Sequence, residues 1–333
     1  MTVYLVRRLI GTIPVILLIS LLVFGLIKLA PGDPARLLLP ENATDTDVAE
    51  ARARWGLDQP FHVQYLHFLT NALRGDMGRS FRFSQPVTDL IQARLPATVE
   101  LATLAILIAC TIAIPLGVLA GVRPNSWIDN LGTTVGLFGI SMPSFWFGIM
   151  LILIFAGMLH VLPSSGRSTY GVAGGTMTGF YIFDRLAQGN LAAAWDAISH
   201  MLLPALALGI SLAGILMRIT RSAILAVTRE DFVTVARAKG LKNTSIIWRH
   251  VLRNALIPVI TVVGLELGQL LSGSIITETV FAWPGIGSLL INGVSSRDYP
   301  LVTGLVLGYT FAFVMINLAI DAIYAVVDPR IRY

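Results

Sequence analysis

The sequence has few charged residues and a single cysteine. Charged residues make up 13% of its 333 positions, against about 25% in an average soluble domain, and 55% of the positions are hydrophobic. This balance excludes an ordinary soluble domain and predicts an integral membrane protein. Cys110 has no second cysteine with which to form a disulfide or a thiolate cluster for zinc or iron-sulfur binding, so redox chemistry is not expected.

Motifs that carry catalysis are also missing. The sequence contains no G-x-x-x-x-G-K-[ST] phosphate loop, no H-E-x-x-H and no G-x-S-x-G. His62 and His67 are five residues apart, whereas a zinc-binding helix spaces its histidines by four. The net charge is +5, but no basic patch is interleaved with aromatic residues, so nucleic-acid binding is not expected. We expect no catalytic, cofactor-binding or metal-binding residue in this chain.

Long apolar runs are the main feature that is present. A helix needs about 20 mostly apolar residues to cross a bilayer core. The runs are continuous rather than alternating, so they predict helices and not the strands of a membrane barrel. The first run follows Arg7 and Arg8 but exceeds the roughly 7–15 apolar residues of a cleavable signal core, so we expect a retained helix. The six runs are approximately 9–29, 97–120, 131–159, 201–217, 255–281 and 301–327.

The basic residues predict the orientation. With six helices, the loop 218–254 shares a side with both termini, and it contains eight lysines and arginines. The loop 160–200 on the other side contains only Arg167 and Arg185. Because basic loops stay in the cytoplasm, we expect both termini to be cytoplasmic. The segment 31–95 contains seven arginines, but loops beyond about 60 residues are translocated largely regardless of charge, so we place it outside.

The outer segment 31–95 has its own helical signals. Asp47 and Glu50 resemble a capping box for a short helix that ends at Gly56. A second helix can begin at Pro60 and end at Gly75. We expect its apolar face to rest on the membrane surface or on a partner. That face comprises Phe61, Tyr65, Phe68 and Leu69.

The loop 218–254 contains a short amphipathic pattern. Thr228 or Asp231 can cap a first helix, Gly240 can supply a left-handed turn, and Asn243 and its neighbours can begin a second helix. Two interpretations are open: a solvated basic loop that only fixes topology beside anionic lipid, or a docking helix for a cytoplasmic partner. The apolar face of the first helix comprises Phe232, Val235 and Ala236.

Several motifs resemble one family of membrane proteins. A-R-A-K-G-L at 236–241 followed by R-H-V-L-R-N-A-L-I-P at 249–258 is similar to the signature loop of binding-protein-dependent ABC importer permeases, most of all the dipeptide, oligopeptide and nickel permeases of the first-permease type. Thr234, Val235 and Ala236 stand where the general pattern of these importers has E-A-A. Further segments that match in order are L-A-P-G-D-P at 29–34, G-L-D-Q-P at 56–60, A-L-R-G-D-M-G-R-S at 72–80, R-L-P-A-T-V-E-L at 94–101, E-T-V-F-A-W-P-G-I-G at 278–287 and D-P-R-I-R-Y at 328–333.

This resemblance implies a fold and a division of the chain. The fold would be an all-α membrane bundle of six transmembrane helices, of the MetI-like type I ABC importer kind, with a large extracytoplasmic segment between the first two helices. The short cytoplasmic helix would be a coupling helix seated on an ATP-hydrolysing subunit. Its contact residues would be Phe232, Val235, Ala236, Arg237, Lys239 and Gly240. The parts would be a first helix at 1–30, the outer segment at 31–95, a permease core at 96–327 that includes the coupling loop 218–254, and a cytoplasmic tail at 328–333.

The resemblance also implies partners and a location. The chain would lie in a bacterial cytoplasmic (inner) membrane with a second, similar permease, two ATP-binding subunits and an extracytoplasmic substrate-binding protein. ATP and Mg would bind to the ATPase subunits, so this chain would hold no cofactor and would be no enzyme by itself. Di- or oligopeptides are the expected cargo, with glutathione, nickel chelates, opines or glycosides as alternatives. The competing classes are a proton-coupled carrier and a scaffold without transport.

Polar residues within the apolar runs are candidates for a pathway. Glu266 lies about halfway along the fifth run, where a lone carboxylate is costly, and it is interpreted either as part of an interhelical pair or as a pathway-lining group. Lys28, Glu100, Glu278 and Asp321 lie near run ends, where snorkelling explains them.

Small residues and prolines in the runs also suggest a pathway or gate. Pro143 predicts a kink near Ser141. Ser272 and Ser274 belong to a group of small residues that allows either close helix packing or a cavity. Trp283 is expected to end the fifth helix as an anchor at the outer interface, with its indole N–H in water.

Overall fold

The computed structural model describes residues 2–29, 36, 39, 43–54, 56–169, 177–271 and 274–327. These residues form helices joined by turns, which confirms the all-α class, and a lone bridge pairs Arg79 with Pro86. π-helical segments extend α6 through Ile152–Met158 and precede α10 at Ile246–Val251. The helices are α1 (Thr2–Leu29), α2 (Asp45–Arg54), α3 (Phe61–Leu73), α4 (Val87–Val122), α5 (Trp127–Ser141), α6 (Ser144–Leu151), α7 (Tyr181–Ala187), α8 (Leu191–Thr228), α9 (Asp231–Ala238), α10 (Leu252–Leu271), α11 (Ile275–Val280), α12 (Ile286–Ser295) and α13 (Tyr299–Val327).

Over the described residues, the six apolar runs fall mainly on helices, and the third run is interrupted at Met142 and Pro143. Among the described residues, four helical stretches are long and apolar enough to cross a membrane, and α5 with α6 makes a fifth if this bent pair is one span. The apolar part of α1 at Ile10–Gly25 is shorter. The total of six crossings therefore stays a prediction. The four long stretches are Val87–Val122, Leu191–Thr228, Asn243–Leu271 and Tyr299–Ile320.

Glycines bring α4 and α8 together at the centre of the bundle, where these two helices share the most extensive contact. A methyl group added at Gly117 or at Gly121 would collide with Thr220 or Ile224 of α8, and one added at Gly209 would lie 2.8 Å from the Ala105 carbonyl oxygen of α4. Lipid tails are as apolar as the helix surfaces, so close packing of this kind supplies much of the attraction between membrane helices.

Gly209→Ala should destabilise the protein because the nearest neighbour of the added methyl group, the Ala105 carbonyl, is backbone and cannot rotate away. We expect a loss of about 1–3 kcal/mol from overpacking, seen as a lower midpoint of thermal unfolding in detergent. Gly11→Ala is the matched control, since nothing lies within 4 Å of its added methyl group. Equal midpoints for the two variants would contradict the close approach of α4 and α8.

The described part of the segment 31–95, which the sequence predicts to lie outside, contains both predicted helices. The cap of α2 is formed by Thr44 and Asp47, each of which bonds the backbone N–H of the other at 2.8–3.3 Å. The predicted pair of Asp47 and Glu50 was therefore wrong by one turn. The Thr44 hydroxyl also donates to the Asp47 carboxylate at 2.7 Å, and this bond, together with the one from the Thr44 N–H, lowers the pKa of the Asp47 carboxyl. Gly56 adopts the left-handed conformation after α2, at φ 63°.

The aromatic residues on the apolar face of α3 pack on α1 of the same chain. The Phe24 ring of α1 lies 5.5–5.7 Å from the rings of Phe61, Tyr65 and Phe68. The Tyr65 hydroxyl forms a 2.8 Å hydrogen bond with the Ser20 hydroxyl. The aromatic residues that the sequence placed on one face thus tie the outer segment to the first helix.

A second contact ties the outer segment to α12 and α13. Val87 and Leu90 are buried against Leu289 and Leu301. Beside them Asp298, at the start of α13, is fully buried. Its carboxylate accepts hydrogen bonds from the Ser80 hydroxyl and from the backbone N–H groups of Arg82 and Leu301. Ser80, the last residue of the R-G-D-M-G-R-S motif, therefore attaches this motif to the start of the last helix.

Candidate coupling surface and pathway

Helix α9 is a short helix held to the bundle by one face. Val233 is fully buried and packs with Val118, Ile224 and Ile246, while Ala236 lies partly buried beside them. Thr228 does not cap α9, because its hydroxyl donates to the Ile224 carbonyl of α8. The cap position is Glu230, which makes no side-chain capping bond, and Asp231 lies in the first turn.

The opposite face of α9 is open. Phe232 is 40% exposed and Val235 is 51% exposed, and Arg237 and Lys239 are also exposed. Ala236 lies on the side of α9 that contacts the bundle. The three residues of the predicted apolar face therefore do not share one exposed face, because only Phe232 and Val235 are exposed. Two more large apolar residues on the following segment are exposed, and together with Phe232 and Val235 we call them the coupling surface. The two added residues are Leu241, at 44%, and Trp248, at 52%.

Gly240 fixes the angle between α9 and the next helix. Its φ is +76°, a conformation that costs an ordinary L-residue about 1–2 kcal/mol. Its N–H donates to the Arg237 carbonyl at 2.9 Å, and the Leu241 N–H reaches the Ala236 carbonyl. From Asn243 the chain is helical again and continues into α10, so the turn at Gly240 joins α9 directly to a helix that is long and apolar enough to span a membrane.

An ion pair with a buried carboxylate and a partly exposed guanidinium lies at the same end of the bundle. Arg221 of α8 donates from Nε and Nη2 to the two carboxylate oxygens of Asp129, which is in the first turn of α5. Asp129 also accepts from the Asn125 N–H at 2.8 Å. Bidentate pairs of this kind are strong and directional. The sequence reading missed this pair, because the two residues are far apart along the chain and nothing in either segment indicates the other.

Pro143 breaks the third run more sharply than a kink. Helix α5 ends at Ser141, Met142 is extended, Pro143 precedes α6, and the two helices meet at 98°. Ser141 and Pro143 are exposed at this corner. Proline removes a backbone donor and clashes with the preceding turn, which explains the position of the break.

The remaining pathway candidates occupy α10 and the turn after it. Glu266 is half-buried on α10, and no cation of the described residues lies within ion-pair distance of it, so an interhelical pair within the described chain is not formed. Ser274 directly precedes α11, where its carbonyl accepts the Glu278 N–H. Ser272 lies outside the described residues. Their role in a pathway stays a prediction.

A buried polar cluster joins α11, α12 and α4 at the other end of the bundle. Glu278 is 0% exposed. Its carboxylate accepts the Thr98 hydroxyl at 3.0 Å and the Ser288 N–H, in the first turn of α12, at 2.9 Å. Thr98 in turn accepts the Ile286 N–H at 2.8 Å. Snorkelling is therefore the wrong explanation for Glu278, which binds the start of α12 to α4.

Trp283 belongs to the same cluster, not to the membrane interface. Its side chain is 1% exposed, and its indole N–H donates to the Ala97 carbonyl at 3.0 Å. The predicted anchor with a wet N–H is wrong because the indole packs in a buried cluster with Leu101 of α4 and with Met201 and Leu208 of α8. Glu100 on α4 is not a snorkelling residue either, since it is buried against Arg167 with an oxygen to nitrogen distance of 2.6 Å.

Asp184 orders the loop before α7. It is almost fully buried, and burial alone raises the pKa of its carboxyl. Hydrogen bonds from the Thr178 hydroxyl and from three backbone N–H groups outweigh burial, so the net pKa is lowered. The carboxylate is therefore charged at neutral pH and holds residues 177–179 in place.

Comparison with known families covers nearly the whole chain. Residues 113–333 match the model of a binding-protein-dependent transport system inner membrane component, and residues 1–102 match the model of the N-terminal part of such a membrane component. A chain of the MetNI methionine ABC transporter, solved in inward-facing conformations, aligns with 72% of this chain and 96% of its own, at a TM-score of 0.50 and 18% identity. That likeness concerns the fold alone.

Relatives of similar length are similar from end to end. A dipeptide transport system permease protein of Alkalihalophilus pseudofirmus is 40% identical over the full length of both chains. A probable D,D-dipeptide transport system permease protein of Escherichia coli is 42% identical over 96% of this chain and 95% of its own. A glutathione transport system permease protein of Salmonella typhimurium is 40% identical over 99% of both.

Proposed function

Because the chain belongs to the family of binding-protein-dependent transport system inner membrane components, we propose that it is a permease subunit of an ATP-driven importer of short peptides. It forms one half of the translocation pathway, and a second, similar permease forms the other. The observation that carries this proposal is the coupling surface. Helix α9 exposes Phe232 and Val235 of this surface, and Val233 on the opposite face of α9 is buried in the bundle.

The chemistry of this surface suits a protein partner. Exposed apolar side chains at its centre and basic side chains at its edge match the composition of a docking site with an apolar core and a polar rim. Arg237 and Lys239 then meet carboxylates or carbonyls of the partner. The partners are two ATP-binding subunits, which hold ATP and Mg, and an extracytoplasmic binding protein captures the cargo.

Nucleotide would drive transport through two packings of the bundle. Binding of ATP closes the ATPase subunits and draws the two coupling helices together, and the cavity between the permeases then faces outward. Hydrolysis resets it. This is a shift between conformations, so the permease itself performs no chemistry. The loop 218–254 and both termini are then cytoplasmic, and the segment 31–95 is outside.

Short peptides are the proposed cargo because dipeptide permeases are similar to this chain along its whole length. Glutathione, itself a peptide, is the alternative with a relative of equal similarity. The sequence resemblance also implies that nickel chelates, opines and glycosides are alternatives within this family.

Affinity purification of this chain from its native membrane in mild detergent tests the proposal, with mass spectrometry of the proteins recovered. We expect a second permease and ATPase subunits. Recovery of the chain alone, under conditions that preserve a known importer complex, would contradict it.

Phe232→Asp should weaken association with the ATPase subunits, because it places a charge in the apolar centre of the coupling surface. Centres of this kind carry about 2 kcal/mol or more of binding energy per key side chain, so we expect about tenfold or greater loss of ATPase subunit per permease after purification. Thr234→Asp is the matched control, since Thr234 is exposed on α9 outside the coupling surface. Equal recovery of ATPase subunits with both variants would contradict the docking role and would leave the loop 218–254 as one that only fixes topology.

A further inference from the structure

A polar cavity opens between α5 and α8 near the ion pair of Arg221 and Asp129. Its volume is about 610 Å³, within the roughly 300–1,000 Å³ of ordinary small-molecule sites. Its walls contain hydroxyl and amide side chains. The polar lining residues are Asn125, Asn130, Thr133, Thr134 and Ser222, together with Asp129, Arg218 and Arg221.

Glycines make room for this cavity. Gly136 of α5 faces the backbone of Gly214 on α8, where an added methyl group would lie 3.5 Å from the Gly214 carbonyl oxygen. Gly132, one turn earlier on α5, faces the end of the Met217 side chain. All these residues line the cavity, so the absence of side chains on the glycines contributes to its space.

The charges in the cavity do not balance. The guanidinium of Arg221 is occupied by both oxygens of Asp129. Arg218, one helical turn before Arg221, is exposed, and no carboxylate of the described residues lies within ion-pair distance of it. Two arginines and one aspartate therefore leave one positive charge, which lies on Arg218.

We propose that this cavity binds the cargo on its way to the cytoplasm, with Arg218 holding the terminal carboxylate of a short peptide. This inference rests on the proposed function. A planar guanidinium matches a carboxylate with two hydrogen bonds. The amide and hydroxyl side chains of α5 pair with the peptide groups. An acyl chain of a lipid would offer no hydrogen bond to the amide side chains of Asn125 and Asn130 in the cavity wall, so a peptide is the better occupant.

Protection of a single cysteine tests the site without depending on transport. Ser222→Cys is introduced with Cys110→Ser, and a charged thiol reagent is applied to the purified complex. We expect millimolar alanyl-alanine to slow modification and its C-terminal amide to have little effect. Arg218→Gln should raise the half-protecting concentration about tenfold, equal to about 1.4 kcal/mol. Arg229→Gln is the matched control, because Arg229 follows the end of the same helix and does not line the cavity.

Three results would overturn the site: equal protection by the amide, protection that survives Arg218→Gln, or protection by anionic lipid in place of peptide. The last would assign Arg218 to a headgroup. ATP-driven uptake by the same complex separates the two proposals. Uptake without carboxylate-dependent protection rejects the site and keeps the importer. Protection without ATP-driven uptake supports the site and rejects the importer.

Discussion

Gly240→Pro should nearly abolish ATP-driven uptake while the protein still inserts and folds. Proline cannot adopt the φ of +76° at this position, and it removes the N–H that closes the turn onto the Arg237 carbonyl. The direction of the chain after α9 would change, so movement of α9 would no longer be passed to α10. We expect uptake to fall by about tenfold or more, as a change of at least about 1.4 kcal/mol would produce.

Two further variants separate conformation from bulk at Gly240. No atom lies within 4 Å of an added methyl group, so a larger side chain meets no clash, and any loss must come from the backbone. Asparagine tolerates the left-handed region and should retain most of the uptake, whereas valine should resemble proline. Measurements of ATP hydrolysis alongside uptake show whether the two activities are uncoupled. Full uptake with Gly240→Pro would remove the coupling role from α9.

Gly285→Ala should be among the most destabilising single substitutions in the chain. The added methyl group would overlap with the carboxylate of Glu278, which is fully buried and held by Thr98 and Ser288. The carboxylate cannot turn away without leaving those donors unpaired, at about 1–3 kcal/mol each. We expect a loss of about 2–4 kcal/mol, measured as a lower midpoint of thermal unfolding in detergent.

A double variant identifies the cause. Glu278→Ala alone also destabilises, because the donors lose their acceptor. If the clash is with the carboxylate, Glu278→Ala with Gly285→Ala should be about as stable as Glu278→Ala alone, so the two effects are not additive. Additive losses would show that the methyl group at position 285 is harmful for another reason. Gly11→Ala again serves as the unhindered control.

Local signals in the sequence predicted local structure well. The glycines at positions 56, 75 and 240 all take positive φ angles as turn residues, Pro143 marks the break between α5 and α6, and α9 lies where its amphipathic pattern predicts. Each of these depends on neighbours within a few residues, which a single sequence records. The cap of α2 was misplaced by one turn because Thr44 and Asp47 offer a better pair than Asp47 and Glu50.

Contacts between distant segments were not predictable in the same way. Glu278 and Trp283 were interpreted from their position at the end of an apolar run, yet both are buried against α4, where Thr98 binds Glu278 and Ala97 binds Trp283. The pair of Asp129 and Arg221 and the cavity beside it depend on which faces of α5 and α8 meet. Glycines on these helices help to determine which faces meet, and the spacing of the glycines in either segment alone does not reveal this.

Transport by the purified complex in proteoliposomes tests the central claim most directly. The complex is reconstituted with its binding protein, and entry of a labelled dipeptide is followed with ATP or with a proton gradient as the energy source. An ATP-driven importer predicts uptake that requires ATP, the ATPase subunits and the binding protein, and none from the gradient alone. Uptake by this chain without ATPase subunits, driven by the proton gradient, would contradict it and would make the unpaired Glu266 the group to test as a proton carrier.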